Sequence, residues 1–225
     1  MTLWVKECRL SSGTNPPTEL SNELGEKKQV VADEDYELVA LCQKGDVETF
    51  GALVEKHQKR MLNIAYRMIG DYEAACEVVQ DAFVSAHRAI RKFRGESKFS
   101  TWLSSIVINL SKNRMKQLRI QWQREGLSID HPKETEDGPL SNDPPAQEPS
   151  VLEQLEKREV QAKVQECIHS LDDEYREVLV LRDLQGFSYE EIGDILKIPD
   201  GTVKSRLFRA RDALKESLKR TLGDL

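Results

Sequence analysis

The sequence predicts an all-α protein: two small helical domains joined by a flexible, acidic, proline-rich linker, with two helices set around a tight turn near the C-terminus. Three observations predict it. Apolar residues in the dense regions recur at spacings of three and four, the helical period. Seven of the eight prolines fall either near the start (Pro16, Pro17) or in the middle (Pro132, Pro139, Pro144, Pro145, Pro149), where they stop helix from propagating. Charge is segregated as well: residues 1–37 hold four Lys/Arg against eight Asp/Glu, 88–124 ten against one, 125–159 three against ten, and 202–220 seven against two. Two cationic segments separated by an anionic one read as two sites for a polyanion rather than one evenly solvated surface.

Composition bounds the rest. At 225 residues with 32% charged, the chain can bury one or two modest cores but not a large one. No apolar run approaches the roughly 18 residues of a membrane span, and the first 30 residues lack the apolar middle of a secretory signal, so a cytoplasmic protein without membrane insertion is expected. Cys8, Cys42, Cys76 and Cys167 are far apart, with no C-x-x-C pair and no histidine at finger spacing. They read as reduced packing residues, and neither metal nor cofactor is expected. The boundaries follow from the prolines: a disordered tail over 1–35, a first domain over 36–122, a linker over 123–150 and a second domain over 151–225. As a coil the linker spans roughly 30 Å, more with proline stiffening and charge repulsion.

Within the first domain, Phe50, Leu53, Val54, His57, Met61, Ile64, Ala65 and Met68 form one helical stripe, and Ala75, Val78, Val79, Ala82, Phe83, Ala86 and Ile90 a second. Leu103, Ile106, Val107 and Leu110 mark a third helix from about Phe99 to Trp122. At 100° per residue, Trp102, Ser105, Asn109, Lys112, Asn113 and Lys116 fall on a different face of it, polar and basic. Before it, in "KFRGESKF" (92–99), Gly95 breaks the helix between Phe93 and Phe99. Basic residues (Arg94, Lys98) interleaved with Phe93, Phe99 and Trp102 suit a surface that holds phosphates and offers planar groups to unstacked bases, though each aromatic alone is as consistent with core packing.

In the second domain Ser188 and Glu191 stand in capping-box register before Tyr189, Ile192, Ile195 and Leu196, and small Gly193 permits a close crossing. "KIPDG" (197–201) makes a tight turn, and the next helix buries Val203, Leu207, Ala210 and Leu214. Helix, short turn and amphipathic helix make a helix-turn-helix. Its outer face carries Thr202, Lys204, Ser205, Arg206, Phe208 and Arg209, which can fork onto guanine edges and phosphates or touch thymine methyls. Positive charge on the early turns runs against the helix dipole, which favours acids there, so an outside anion is implied.

Three stretches, "GDVETFGALVEKHQKRMLNIAYRMIGD", "ACEVVQDAFVSAHRAIRKFRGESKFSTWLSSIVINLSKN" and "LDDEYREVLVLRDLQGFSYEEIGDILKIPDGTVKSRLFRARDAL", together resemble the extracytoplasmic-function (ECF, group IV) sigma factors of bacterial RNA polymerase, over roughly residues 38–122 and 151–220. The resemblance implies core RNA polymerase, through its β′ clamp helices and β flap, and promoter DNA as partners, with an anti-sigma factor as a further one. "VVQDAF", with Val79, Gln80, Asp81 and Phe83, is similar to the family's docking stretch for the clamp helices, although the family more often has Glu at the position of Asp81. "KFRGESKFSTW", with Phe93, Arg94, Ser97, Lys98, Phe99 and Trp102, resembles the loop that accepts flipped bases of the -10 element. Asn109 matches the asparagine lining that pocket, and Asn113 and Lys116 continue the surface. "GTVKSRLFR" resembles the recognition helix for the -35 element. The C-terminal stretch also looks like the output domain of LuxR-type activators, which need a receiver or ligand domain in front. An enzyme is not expected, because no carboxylate cluster and no Ser/His/Asp grouping stands out.

Overall fold

The computed structural model describes residues 33–125 and 151–223. The tail over 1–32, the linker over 126–150, Cys8 and His131 lie outside them. The described residues form eight α-helices and no strand: α1 (Tyr36–Gln43), α2 (Val47–Ile69), α3 (Tyr72–Ala89), α4 (Phe99–Glu125), α5 (Val151–His169), α6 (Asp173–Leu179), α7 (Tyr189–Leu196) and α8 (Asp200–Leu222). A 3-10 turn, Ile90–Lys92, follows α3, and one π-helical turn, Val180–Leu184, prolongs α6.

Local chemistry sets the ends. Asp46 accepts the Glu48 and Thr49 amides at 3.0 and 3.2 Å and starts α2; Asp71 accepts the Ala74 amide at 2.7 Å and starts α3. Gly70, at φ 85°, closes α2 in the left-handed region. The stripes expected on α2 and α3 are buried, apart from half-buried Val54, and Ala75, Ala82 and Ala86 let α3 lie close to its neighbours. Helix α4 runs to Glu125, past the expected end near Trp122 and into the start of the expected linker.

Helix α4 is buried over more of its circumference than its apolar stripe predicts. Leu103 and Val107 face the first domain's core, but Thr101, Ser104, Ile108, Ser111 and Met115 are buried too, while Ile106 and Leu110 are only half-buried. The reason is tertiary: α2, with Met61 Sδ 3.9 Å from Ser104 Oγ, and α7 both pack on α4, α5 and α6 pack on α2, and the buried apolar residues of both halves form one continuous cluster.

Polar contacts fasten this seam. Lys98 pairs with Glu191 at 2.9 Å, Lys112 with Glu177 at 2.8 Å and Arg119 with Asp173 at 2.8 Å, placing two cations of α4 and the lysine just before it against acids of α6 and α7. From α2, Arg60 Nη2 donates to the Gln185 carbonyl at 2.8 Å with its guanidinium 4.2 Å over the Phe187 ring, and Arg67 donates to Gln165 Oε1 at 2.6 Å. His169 Nε2 donates to the Ile69 carbonyl at 2.6 Å. Buried Arg176 reaches the carbonyls of Ile168, His169, Leu171 and Met68. Burial, and then the Arg176 charge, holds His169 below its ordinary value. Burial pushes the Glu177 carboxyl up against the opposing pull of Lys112. Burial also raises Asp173 and Glu191, but is outweighed: at Asp173 by the Arg119 hydrogen bond and the guanidinium charges, at Glu191 by its Ser188 and Lys98 partners.

Candidate nucleic-acid interface

The helix pair at the C-terminus is built as its residues dictate. Ser188 Oγ accepts the Glu191 amide at 3.1 Å while Glu191 Oε2 accepts the Ser188 amide at 2.9 Å, completing the capping box. Lys197 adopts φ 58°, an unusual conformation for a side chain with a Cβ, and the Ile198 amide bonds back to the Gly193 carbonyl at 3.1 Å. A Cβ on Gly193 would stand 3.0 Å from the Ile198 carbonyl oxygen and 3.1 Å from Asp200 Oδ1, so the close approach there is made by the turn and the first residue of α8. Pro199 then caps α8.

On α8 the residues sort as expected for its inner face and less simply for its outer one. Val203, Leu207 and Ala210 are buried and Leu214 half-buried. Lys204, Ser205, Phe208 and Arg209 stand in solvent, Phe208 at 76% exposure, while Thr202 is half-buried. Arg206 is already engaged: its Nη2 lies 2.6 Å from Glu174 Oε2 on α6 and its side chain is only 22% exposed. Its guanidinium must leave that carboxylate before it can meet a base or phosphate.

Around the loop between α3 and α4, the aromatic residues divide. Phe93 and Trp102 are half-buried, their ring centroids 4.9 Å apart. Phe99, expected at the surface with them, is fully buried, packed on His57 at 5.5 Å, Trp102 at 5.7 Å and Phe93 at 6.1 Å. As the first residue of α4 it turns into the core, so its ring supports the two half-buried ones from beneath and offers no face to a ligand. Asn109, Asn113 and Lys116 form an exposed edge along α4, where spacings of four and three keep them aligned. Lys98 and Lys112 are tied to the second half of the molecule.

A segment outside the expected site completes this region. Asp33 Oδ2 accepts the Phe99 amide at 2.6 Å, capping α4, and its Oδ1 accepts the Asp35 amide at 3.1 Å. Buried Asp35 holds His57 Nε2 and Lys56 Nζ, each at 2.7 Å. Gln43 Nε2 donates to the Ile90 and Phe93 carbonyls at 3.0 and 2.8 Å. Between this segment and the loop lies a cavity of about 240 Å³, bordered by Asp33, Tyr36, Gln43, Phe93, Arg94 and Ser97. No periodicity marks this segment, since Asp33 precedes the first helix and falls within the expected tail.

On α3, Gln80 and Asp81 are exposed and sit beside exposed Val84. Val79 and Phe83, named with them as docking residues, are core residues of the α3 stripe, so only the polar pair is presented outward.

Comparison with known proteins matches both halves. Residues 53–120 match the family model described as Sigma-70 region 2, and residues 161–214 the one described as Sigma-70, region 4. The chain is 35% identical over 192 residues to the RNA polymerase sigma-H factor of Pseudomonas aeruginosa, covering 85% of this chain and 97% of that one. It is 37% identical over 186 residues to the ECF RNA polymerase sigma-E factor of Escherichia coli, covering 82% and 94%. Among solved structures it resembles CnrH in complex with the cytosolic domain of CnrY (TM-score 0.59, 26% identity, 83% of this chain and 97% of that one). It also resembles the sigma factor RpoE in complex with the anti-sigma factor NepR from Bartonella quintana (TM-score 0.59, 25% identity, 77% and 98%).

Proposed function

The chain belongs to the ECF RNA polymerase sigma factors, initiation factors rather than catalysts, and from that premise we propose how its surface divides the work. The alternative of a LuxR-type activator is set aside, because residues 53–120, where such a protein would need a receiver or ligand domain, match sigma-70 region 2. Residues 36–122 act as the unit that binds core polymerase and the -10 element, residues 151–225 as the unit for the -35 element, with the acidic stretch over 123–150 as the tether. The exposed Gln80 and Asp81 of α3 face the β′ clamp helices, and the second unit lies on the β flap.

The observation that carries this reading is the sorting of α8. Val203, Leu207 and Ala210 anchor it while Lys204, Ser205, Phe208 and Arg209 project from its first turns. In a major groove, basic side chains there meet phosphates and base edges, and Phe208 meets thymine methyls. Thr202 and Arg206 border the same face, Arg206 once released from Glu174. The first unit works on single strands: Phe93 and Trp102 offer planar faces, Arg94, Ser97 and Lys98 stand on the loop beside the cavity, and Asn109, Asn113 and Lys116 line the adjoining edge. Stacking and hydrogen bonding to each unpaired base offset the few kcal/mol needed to unstack it, so the protein favours open DNA without any bond-making step.

Closed packing of the two halves bears on this mechanism. Lys98, Lys112 and Arg119 pair with Glu191, Glu177 and Asp173, occupying cations that DNA phosphates would otherwise take. Promoter and polymerase binding therefore require the seam to part, and a protein that grips both halves would hold the factor inactive. Such an anti-sigma factor is the third partner we expect, supported by the likeness to RpoE bound to NepR. Sequencing the transcripts made by core RNA polymerase with and without this protein tests the function. Start sites that appear only with it, downstream of a common two-part element, are expected. An unchanged transcript set would refute the reading.

A further inference from the structure

Helix α4 runs on past the end of its own packing. Met115 is its last buried residue, and from Lys116 to Arg124 every side chain but half-buried Leu118 is exposed, so the last turns project from the body of the molecule. At 100° per residue, Ile120, Gln123 and Arg124 continue the stripe begun by Asn109, Asn113 and Lys116. Two observations set this continuation apart from an ordinary solvated helix end. Helix α4 carries five Lys/Arg and no Asp/Glu before its last residue, Glu125. The helix dipole accounts for Arg124 in the last turn but not for Lys116 about two turns earlier. Ile120, at 39% exposure, also puts a large aliphatic side chain in water on that cationic stripe. Gln123 and Arg124 lie beyond residues 53–120, the part that matches Sigma-70 region 2.

Resting on the reading that Asn109, Asn113 and Lys116 line the -10 strand, we propose that the end of α4 is a third DNA contact: Ile120, Gln123 and Arg124 hold the duplex adjoining the -10 element on its upstream side, with a preference for an A·T pair there. The direction follows from the chain, which leaves α4 for the unit read as lying on the -35 element, upstream of the -10. From Lys116 to Arg124 the helix rises about 12 Å, roughly three to four base pairs of duplex. The preference follows from the side chains. In the major groove an A·T pair shows the N6 donor and N7 acceptor of adenine, which fit the acceptor and donor of a glutamine amide, and beside them the thymine methyl, which fits an aliphatic carbon. A G·C pair shows two acceptors on guanine and no methyl. Ile120 and Gln123, about one turn apart, address such a pair together, while Arg124 at the edge of the stripe meets phosphate.

The test uses the full chain assembled with core RNA polymerase and a single-stranded non-template -10 element, either bare or forked, with about four base pairs of duplex added on its upstream side and no -35 element. The added duplex should tighten binding about tenfold, and exchanging A·T for G·C at one added position should weaken it about fivefold, the lower end of what one base-edge contact discriminates. Gln123→Ala and Ile120→Ala should each reduce that discrimination to about twofold or less and leave the bare strand bound as before. Arg124→Ala should lower the slope of log affinity against log salt by about one on the forked probe only. Trp122→Ala, on the opposite face of the helix, should change nothing, and a loss there equal to that of Gln123→Ala would mark a general effect of the helix end and overturn the proposal. So would the absence of any gain from the added duplex, or equal losses on forked and bare probes in the Ile120 and Gln123 variants. Asn109→Ala separates the two levels: if it weakens the bare strand while the variants at the end of α4 match the unsubstituted protein on both probes, the duplex contact alone is refuted, whereas intact single-strand binding in Asn109→Ala refutes the reading of the α4 edge as well.

Discussion

Replacing Arg60 with alanine should open the molecule without unfolding either half. The side chain lies on α2, is itself assigned to neither DNA nor polymerase, and reaches across the seam to the segment before α7. Its hydrogen bond to the Gln185 carbonyl at 2.8 Å comes from a charged donor, a class that contributes about 1.5 to 3 kcal/mol. The guanidinium 4.2 Å over the Phe187 ring adds about 1 to 2 kcal/mol in a partly desolvated setting. Against these stands the cost of burying the charge, which lowers the Arg60 pKa. A net loss of about 2 kcal/mol from the closed state follows, roughly thirtyfold in the closed-to-open ratio. Energy transfer between a dye on exposed Cys76 of α3 and one on a cysteine at exposed Asp212 of α8, with Cys8 replaced by serine, reads the separation directly. Efficiency should fall while helical circular dichroism is unchanged. Unchanged efficiency with full helicity would show that Arg60 does not hold the seam.

The same dye pair tests two further expectations. Closed packing should weaken as pH falls below about 6.5, because neutral His169 is favoured in the closed state and the open state takes up the proton. Asp173 and Glu191, held low, add their loss only in the carboxylate range, and Glu177, pushed up by burial, acts the opposite way as it protonates. His169→Gln keeps a donor for the Ile69 carbonyl and should flatten the response between pH 7.5 and pH 5.5, so a response that persists would place the titrating group elsewhere. Glu174→Ala should free Arg206 and tighten holoenzyme binding to duplex -35 DNA several-fold, since the pair is partly exposed and releasing it costs no more than about 1 kcal/mol. Weaker duplex binding would show instead that Glu174 aims Arg206 productively.

Much of the fold was legible because its causes are local. The stripes on α2 and α3, the Ser188–Glu191 box and the turn at Pro199 depend on residues a few positions apart, and they stand where their spacing put them. What could not be read was the seam. Lys98, Lys112 and Arg119 fit a nucleic-acid face as well as an ion-paired one, and only the approach of α6 and α7 distinguishes the two. For the same reason Arg206 looked free, while the burial of Ser104 depends on Met61 of α2, 43 residues away in sequence. Phe99 was misplaced because a residue at the junction of loop and helix can point either way. The Asp33 cap that fixes it is 66 residues distant in sequence. The cavity wall was missed because one carboxylate and one amide, ten residues apart, carry no periodicity.

The central claim is that one end of the protein reads duplex and the other reads single strand, and a crossed comparison tests it most directly. Holoenzyme carrying Phe208→Ala or Asn109→Ala is titrated with a duplex holding only the -35 element and with a single non-template strand holding only the -10 element. Phe208 is 76% exposed and Asn109 lies on the exposed edge of α4, so neither change removes core packing. Phe208→Ala should weaken the duplex about fivefold or more and leave the single strand unchanged, as expected for a contact worth about 1 kcal/mol or above in the groove, and Asn109→Ala should do the reverse. Equal losses on both probes in either variant would contradict the division of labour.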